Sequence, residues 1–264
     1  MTDTPPTETA SAPDVPDTRL AHGPSMPRIG MGTWQLQGDQ CVNAVLAALD
    51  VGYRHIDTAE VYENEKAIGR AIRGWDRDEL FLTSKVWRDH LRPDDLEEAC
   101  ARSLDRLGTD RLDLYLVHWP NSAVPVDETV GALKDLLREG RIGAWGVSNF
   151  TVAHLEEVLD HGQPSVNQVE IHPLLTQAEL DDWCQDRGVA VTGYSPLAQG
   201  EVLDDPVLSG IGEHHDKTPA QVALRWSLQA GHVVIPRSSQ RDHLEKNLDI
   251  LDFELALDEM TRID

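Results

Sequence analysis

An eight-stranded α/β barrel is the architecture this sequence predicts, and three observations predict it. Eight short apolar or β-branched runs alternate with stretches of helical spacing along nearly the whole chain. The runs carry apolar residues on both faces, as strands of a buried parallel sheet do. Eight is also the number that closes a barrel, in a chain whose 264 residues match the ~250 typical of that fold, whereas open doubly wound sheets usually have fewer units.

The strand runs are 28–32 (RIGMG), 53–57 (YRHID), 80–86 (LFLTSKV), 112–118 (LDLYLVH), 142–148 (IGAWGVS), 165–170 (SVNQVE), 189–194 (VAVTGY) and 232–236 (HVVIP). Between them, apolar residues recur at i, i+3 and i+4 over 42–51, 64–74, 94–108, 127–140, 152–162, 177–188 and 219–231, which predicts helices. Asp94, Asp127, Thr151, Thr176 and Thr218 are candidate N-caps, and Gly108, Gly140, Gly162, Gly188 and Gly231 candidate ends. The first run leads into GMGTWQ, which lacks the third glycine and the helix start of a dinucleotide-binding turn. Residues 1–17 are rich in Pro, Thr, Ser and acid, too poor in apolar groups to offset ordering entropy, and are expected to be an unstructured tail before one domain over 18–264.

Lys plus Arg number 23 against 46 Asp plus Glu, a formal net charge of −23. That field repels nucleic acid and anionic membranes. The acids are scattered over nearly every helix rather than gathered on one face, which favours a salt-adapted, halophilic surface over an acidic docking face. No apolar run is long enough to span a bilayer, and the first residues resemble no secretory leader, so a cytoplasmic protein is expected. Cys41, Cys100 and Cys184 are dispersed and odd in number, fitting neither disulfides nor a zinc site. The eleven histidines show no metal-ligand spacing, and His214–His215 falls in what reads as a polar, solvated loop. No metal is expected.

In a barrel of this kind, function collects at the C-terminal strand ends. The second run ends in Asp57, with Tyr62 five residues on; the third carries Lys85; the fourth ends in His118. The fifth gives Ser148 and Asn149, the sixth Gln168, the seventh Tyr194 and Ser195. Taken singly, each has a plain structural explanation: an Asp cap, a solvated Lys, a packed Tyr, a structural His. Acid–base side chains on three successive strand ends are hard to explain by packing. Together they suit protonation of a developing alkoxide. A tyrosine near pKa ~10 is a weak acid at neutral pH. A neighbouring Lys ammonium is expected to lower that value, Asp57 to hold the Lys charged, and His118 to orient a carbonyl.

The stretches 32–34 (GTW), 53–65 (YRHIDTAEVYENE), 84–87 (SKVW), 113–120 (DLYLVHWP), 146–150 (GVSNF), 167–174 (NQVEIHPL), 194–200 (YSPLAQG) and 235–238 (IPRS) resemble the aldo-keto reductase family, from about residue 26 onward. The subgroup resembled is the short prokaryotic one of 2,5-diketo-gluconate and methylglyoxal reductases. The resemblance implies NAD(P)H-dependent reduction of small aldehydes and ketones, by a monomer without metal. It implies Asp57, Tyr62, Lys85 and His118 as catalytic group, with Tyr62 the general acid. Ser148, Asn149 and Gln168 would hold the nicotinamide carboxamide, and Tyr194 would stack on its ring. Ser195 and Leu197 would lie by the pyrophosphate, with Arg237, Ser238, His243 and Asn247 around the adenosine and its 2′-phosphate. Trp34, Trp87 and Trp119, with His118, would wall the substrate site. The YxxxK spacing of Tyr62 and Lys66 matches short-chain dehydrogenases by accident; it comes too early and follows no glycine-rich turn.

Two departures bear on function. Arg237 and His243 stand where the family usually has Lys and Arg. A mostly neutral His243 weakens the grip on a 2′-phosphate, so NADPH is expected to be preferred with appreciable use of NADH. The chain also ends just after the helical stretch 254–263, without the further loop of larger relatives, so an open mouth and broad specificity are expected. The alternatives are a cofactor-binding regulatory protein on the same fold and an unrelated barrel enzyme with a phosphate site after strands 7–8.

Overall fold

In the computed structural model, which describes residues 14–264, eight parallel strands form one sheet whose first and last members meet. Two short strands come first, β1 (Asp17–Arg19) and β2 (Ser25–Pro27), paired antiparallel. The barrel follows: β3 (Gly30–Gly32), β4 (His55–Asp57), β5 (Phe81–Val86), β6 (Leu112–Val117), β7 (Ile142–Ser148), β8 (Val166–Glu170), β9 (Ala190–Tyr194) and β10 (Val233–Val234). Each is hydrogen-bonded to its neighbour in chain order. A parallel bridge between Ile29 and Val234 closes the ring. The Val234 amide donates to Arg28 O at 2.8 Å and the Gly32 amide to Pro236 O at 3.1 Å.

Around it lie α1 (Gly38–Val51), α2 (Glu65–Ile72), α3 (Pro93–Leu107), α4 (Val126–Arg138), α5 (Val152–Leu159), α6 (Ala178–Asp186), α7 (Pro206–His215), α8 (Pro219–Gln229), α9 (Arg241–Leu248) and α10 (Leu257–Ile263). Thr151 and Thr218 cap α5 and α8 through reciprocal capping boxes. The other three expected caps are corrected. Asp94 and Asp127 lie inside the first turns of α3 and α4, where their charge favours the helix dipole, and Gln177 rather than Thr176 precedes α6. Gly108 ends α3 at φ 67°, a left-handed conformation that costs glycine nothing. Gly162 lies three residues beyond the end of α5.

Helices α7 and α9 are not legible in the sequence. The first carries Gly210 and Gly212, and the second is polar apart from Leu244 and Leu248. His214 and His215 therefore sit in the last turn of α7, not in a loop. The expected unstructured tail lies largely outside the described residues; Asp17, its last residue, already pairs with Pro27.

Alternation along the strands divides the interior into two cores. Leu82, Val86, Tyr115, Val117, Trp145 and Val147 face the helices in the larger cluster. Phe81, Leu114, Leu116, Ala144, Val166 and Val233 face inward, near the N-terminal strand ends, where Leu20 and Met26 of the β1–β2 hairpin plug the barrel. The lower half of the barrel is thus closed and mainly apolar, with the buried His55 and Thr83 satisfying each other at 3.0 Å within it. The same parity carries Asp57, Lys85, Ser148 and Gln168 inward at the other end.

Close packing sets α2 against α3. A Cβ on Gly69 would come within 2.6 Å of Leu107 O and 2.7 Å of Arg106 O. Gly69→Ala is therefore expected to destabilise the chain by about 1–3 kcal/mol, read as a lowered Tm in a thermal melt, because two helix backbones must separate.

Candidate active site

At the C-terminal mouth of the barrel lies a cavity of about 920 Å³. Beneath it, the Lys85 ammonium is fully buried and stands 2.5 Å from Asp57 Oδ1, itself nearly inaccessible. Lys85 also donates to Thr58 O at 2.9 Å. The second carboxylate oxygen of Asp57 accepts from Gln168 Nε2 at 2.8 Å. Asp57 is on β4 and Gln168 on β8, so this bond crosses the barrel interior.

Tyr62 ends a 3-10 turn over Glu60–Tyr62, with the Lys85 nitrogen 5.0 Å from its ring centroid. The His118 ring meets Tyr62 edge-on at 5.6 Å and Trp87 at 5.4 Å. The four expected catalytic residues thus converge.

Lys85 acts on Tyr62 in the expected direction, but burial outweighs it. Burial raises the Tyr62 pKa, Lys85 offsets only part of that rise, and the hydroxyl stays above the ordinary tyrosine value. Burial works against the Lys85 charge, but Asp57 and Tyr62 outweigh it and keep the ammonium above its usual range. Burial, helped by Lys85, depresses His118 to about 3. At neutral pH it is an uncharged imidazole, and its Nδ1 has no hydrogen-bond partner among the described residues.

Asp57, Tyr62, His118, Ser148, Asn149, Gln168, Tyr194, Ser195, Leu197 and Arg237 all line the cavity, as do Trp34, Trp87 and Trp119. Tyr194 Oη donates to Asn149 Oδ1 at 2.9 Å, and Asn149 Nδ2 donates to His118 O at 3.0 Å. Ser148 Oγ donates to Gln168 O at 2.8 Å. Asn149 holds φ 63°, and Ser195, Ala198, Gln199 and Gly200 are also left-handed, which brings backbone rather than side chains to the cavity edge. Ser238, His243 and Asn247 do not line it: Ser238 is on the loop after β10, and the other two are on α9.

Sequence reasoning missed the residues that hold the loops. Asn64 is buried, donates to Thr33 O at 2.8 Å and Leu36 O at 3.0 Å, and accepts from Thr58 Oγ1 at 2.7 Å. It ties the Trp34 loop to the Tyr62 loop. Glu60 Oε1 accepts from the Trp87 amide and from His90 Nδ1 at 3.0 Å, fastening the Tyr62 turn to a substrate-wall candidate. Both lie inside the expected functional loop, yet nothing in their spacing marks them. Glu170, another lining residue, was also missed.

Comparison with known proteins agrees with this architecture. The family model of the "Aldo/keto reductase family" matches residues 28–264. The chain belongs to that family. Glyoxal reductase of Bacillus subtilis is 47% identical over 251 residues, covering 93% of this chain and 91% of its own. A 9,11-endoperoxide prostaglandin H2 reductase of Trypanosoma cruzi is 42% identical, covering 90% and 87%. The crystal structure of an aldo/keto reductase from Brucella melitensis superposes with a TM-score of 0.90 at 40% identity, covering 95% of this chain and 100% of that one. As an aldo/keto reductase, the chain is an oxidoreductase of small carbonyl compounds. No described helix is long and apolar enough to cross a membrane.

The depressed His118 pKa has a measurable sign. Between the unfolded value near ~6.5 and the folded value, the unfolded chain binds more protons. His118 thus contributes stability above that unfolded value, lost as pH falls toward about 3. Nitrogen-detected NMR of the imidazoles should show His118 still neutral at pH 5, where exposed histidines are protonated. Protonation of His118 near pH 6.5 would contradict the burial argument.

Proposed function

We propose that the chain reduces small aldehydes and ketones with NADPH, Tyr62 delivering the proton. The observation that carries this reading is the buried Gln168–Asp57–Lys85 chain beneath Tyr62 at the cavity floor. Binding alone requires no such charge pair, and burying it is costly. That argues against a regulatory protein without turnover.

The residues fit the nicotinamide cofactor the family implies. Ser148, Asn149 and Gln168 present polar groups at adjoining strand ends, and the half-buried Tyr194 ring offers a flat face beside them. When bound, NADPH supplies the hydride. The chain's own residues manage the proton. Tyr62 gives its hydroxyl proton to the developing alkoxide; Lys85 stabilises the tyrosinate left behind; Asp57 keeps Lys85 charged and in place. Neutral His118 can offer one hydrogen bond to orient the carbonyl without competing as an acid.

Trp34 and Trp119 are 46% and 41% exposed at the cavity, apolar walls without polar selection. Broad use of short aldehydes, 2-ketoaldehydes and keto-sugars follows. The name of the Bacillus relative, glyoxal reductase, supports the dicarbonyl part of that range.

At the 2′-phosphate end, Arg237 is exposed at the cavity and His243 is exposed on α9. Arg241 cannot readily replace a phosphate ligand, because it pairs with Glu245 at 2.9 Å and Asp50 at 3.6 Å.

Tyr62→Phe should lower kcat by about 10²–10⁴ with methylglyoxal while leaving the Kd for NADPH, read by fluorescence quenching, unchanged. A loss below tenfold would remove Tyr62 as the acid. The kcat/KM preference for NADPH over NADH should stay below ~1,000, equivalent to ~4 kcal/mol, and His243→Arg should increase it. A larger wild-type ratio would contradict the weak-grip argument.

A further inference from the structure

Far along the chain from the catalytic group, His214, His215 and Glu259 bring two imidazoles and a carboxylate together, with one donor atom from each within 4.8 Å of the others. None of the three lines the cavity. We infer that they form a zinc site that clamps α10, the last helix, to the end of α7.

The geometry is close to what the ion needs. His215 Nε2 lies 3.0 and 2.9 Å from the two oxygens of Glu259. A tetrahedral zinc with bonds of about 2.0–2.2 Å sets neighbouring ligand atoms roughly 3–3.5 Å apart. His214 is exposed, and its ring nitrogen, within 4.8 Å of the other two donor atoms, must close to the spacing of a tetrahedral ion to join as a third ligand, leaving the fourth position to water. Two nitrogens and one carboxylate oxygen are a borderline donor set of the kind zinc takes.

The surroundings hold the ligands in place. Glu259 Oε2 also accepts from the Ala256 amide at 2.8 Å, which fixes the carboxylate at the start of α10. The His215 ring packs on Phe253, centroids 5.2 Å apart. Two cations lie over the same Phe253 ring and both are paired: Lys217 with Asp249 at 2.9 Å and Asp252 at 2.8 Å, Arg225 with Glu254 at 3.7 Å. The overall charge of −23 further favours a cation.

A plain His215–Glu259 ion pair explains two of the three residues; His214 is placed by an edge-on ring contact with His215 at 5.0 Å, which keeps its ring beside the same carboxylate. Spacing along the chain gave no sign of this site, since the carboxylate comes from 44 residues beyond His215.

The test is a calorimetric titration of the untagged full chain with Zn²⁺, paired with thermal melts of wild type and His214→Ala. That substitution removes an exposed ring and keeps the His215–Glu259 bond, so the fold survives. Wild type should bind one Zn²⁺ per chain with micromolar affinity and gain several degrees in Tm. His214→Ala should bind at least roughly tenfold more weakly and lose the gain. Co²⁺ in place of Zn²⁺ should give the intense visible bands of a four-coordinate site. No binding at micromolar Zn²⁺, or binding undiminished in His214→Ala, would overturn the inference.

Discussion

The buried ion pair between Lys85 and Asp57 is the constraint around which the rest of this structure is arranged. Taking an ammonium and a carboxylate out of water costs several kcal/mol for each ion, which their attraction repays only with good geometry and further hydrogen bonds. Here both conditions are met. Lys85 is bonded to Asp57 and the Thr58 carbonyl, and Asp57 to Gln168 as well. Lys85 and Asp57 sit on the adjacent strands β5 and β4, but the Gln168 bond comes from β8, so the full set of bonds needs the closed ring. The plugged, mainly apolar lower barrel keeps water from reaching it from below.

The pair in turn dictates the state of its neighbours. Lys85 adds to burial in keeping His118 neutral, and it offsets burial at Tyr62 without overcoming it. One charge thus acts on both neighbours, with burial at His118 and against burial at Tyr62. A rigid floor is matched by a strained rim. Gln35, Asn149, Ser195 and Gln199 all take left-handed backbone and all line the cavity. Such conformations persist where surrounding bonds over-determine them, and Asn64 and Glu60 supply bonds of that kind at the neighbouring loops.

Much of this was legible before any coordinates. Short apolar and β-branched runs identified all eight barrel strands, because strands buried on both faces carry apolar residues on both. Asp57, Lys85, His118 and Gln168 could be placed at the correct end because they close those runs. The hairpin plug was not legible: its strands are three residues long and show no alternation. Helices α7 and α9 were missed because glycine in one and polarity in the other hide the 3.6 period. The loop-holding Asn64 and Glu60 were missed because their bonds run to backbone groups of other loops.

The sequence by itself determined the barrel and the placement of Asp57, Lys85, His118 and Gln168 at the C-terminal ends of its strands. Each of these depends on local periodicity or on residues at strand ends. Only the tertiary structure decided that burial outweighs the pull of Lys85 on Tyr62, because the balance depends on how deeply both are buried. Only the structure joined Gln168 to Asp57 across 111 residues, and His215 to Glu259 at the far end of the chain. Contacts between elements distant in sequence leave no periodic trace; they exist once the ring has closed.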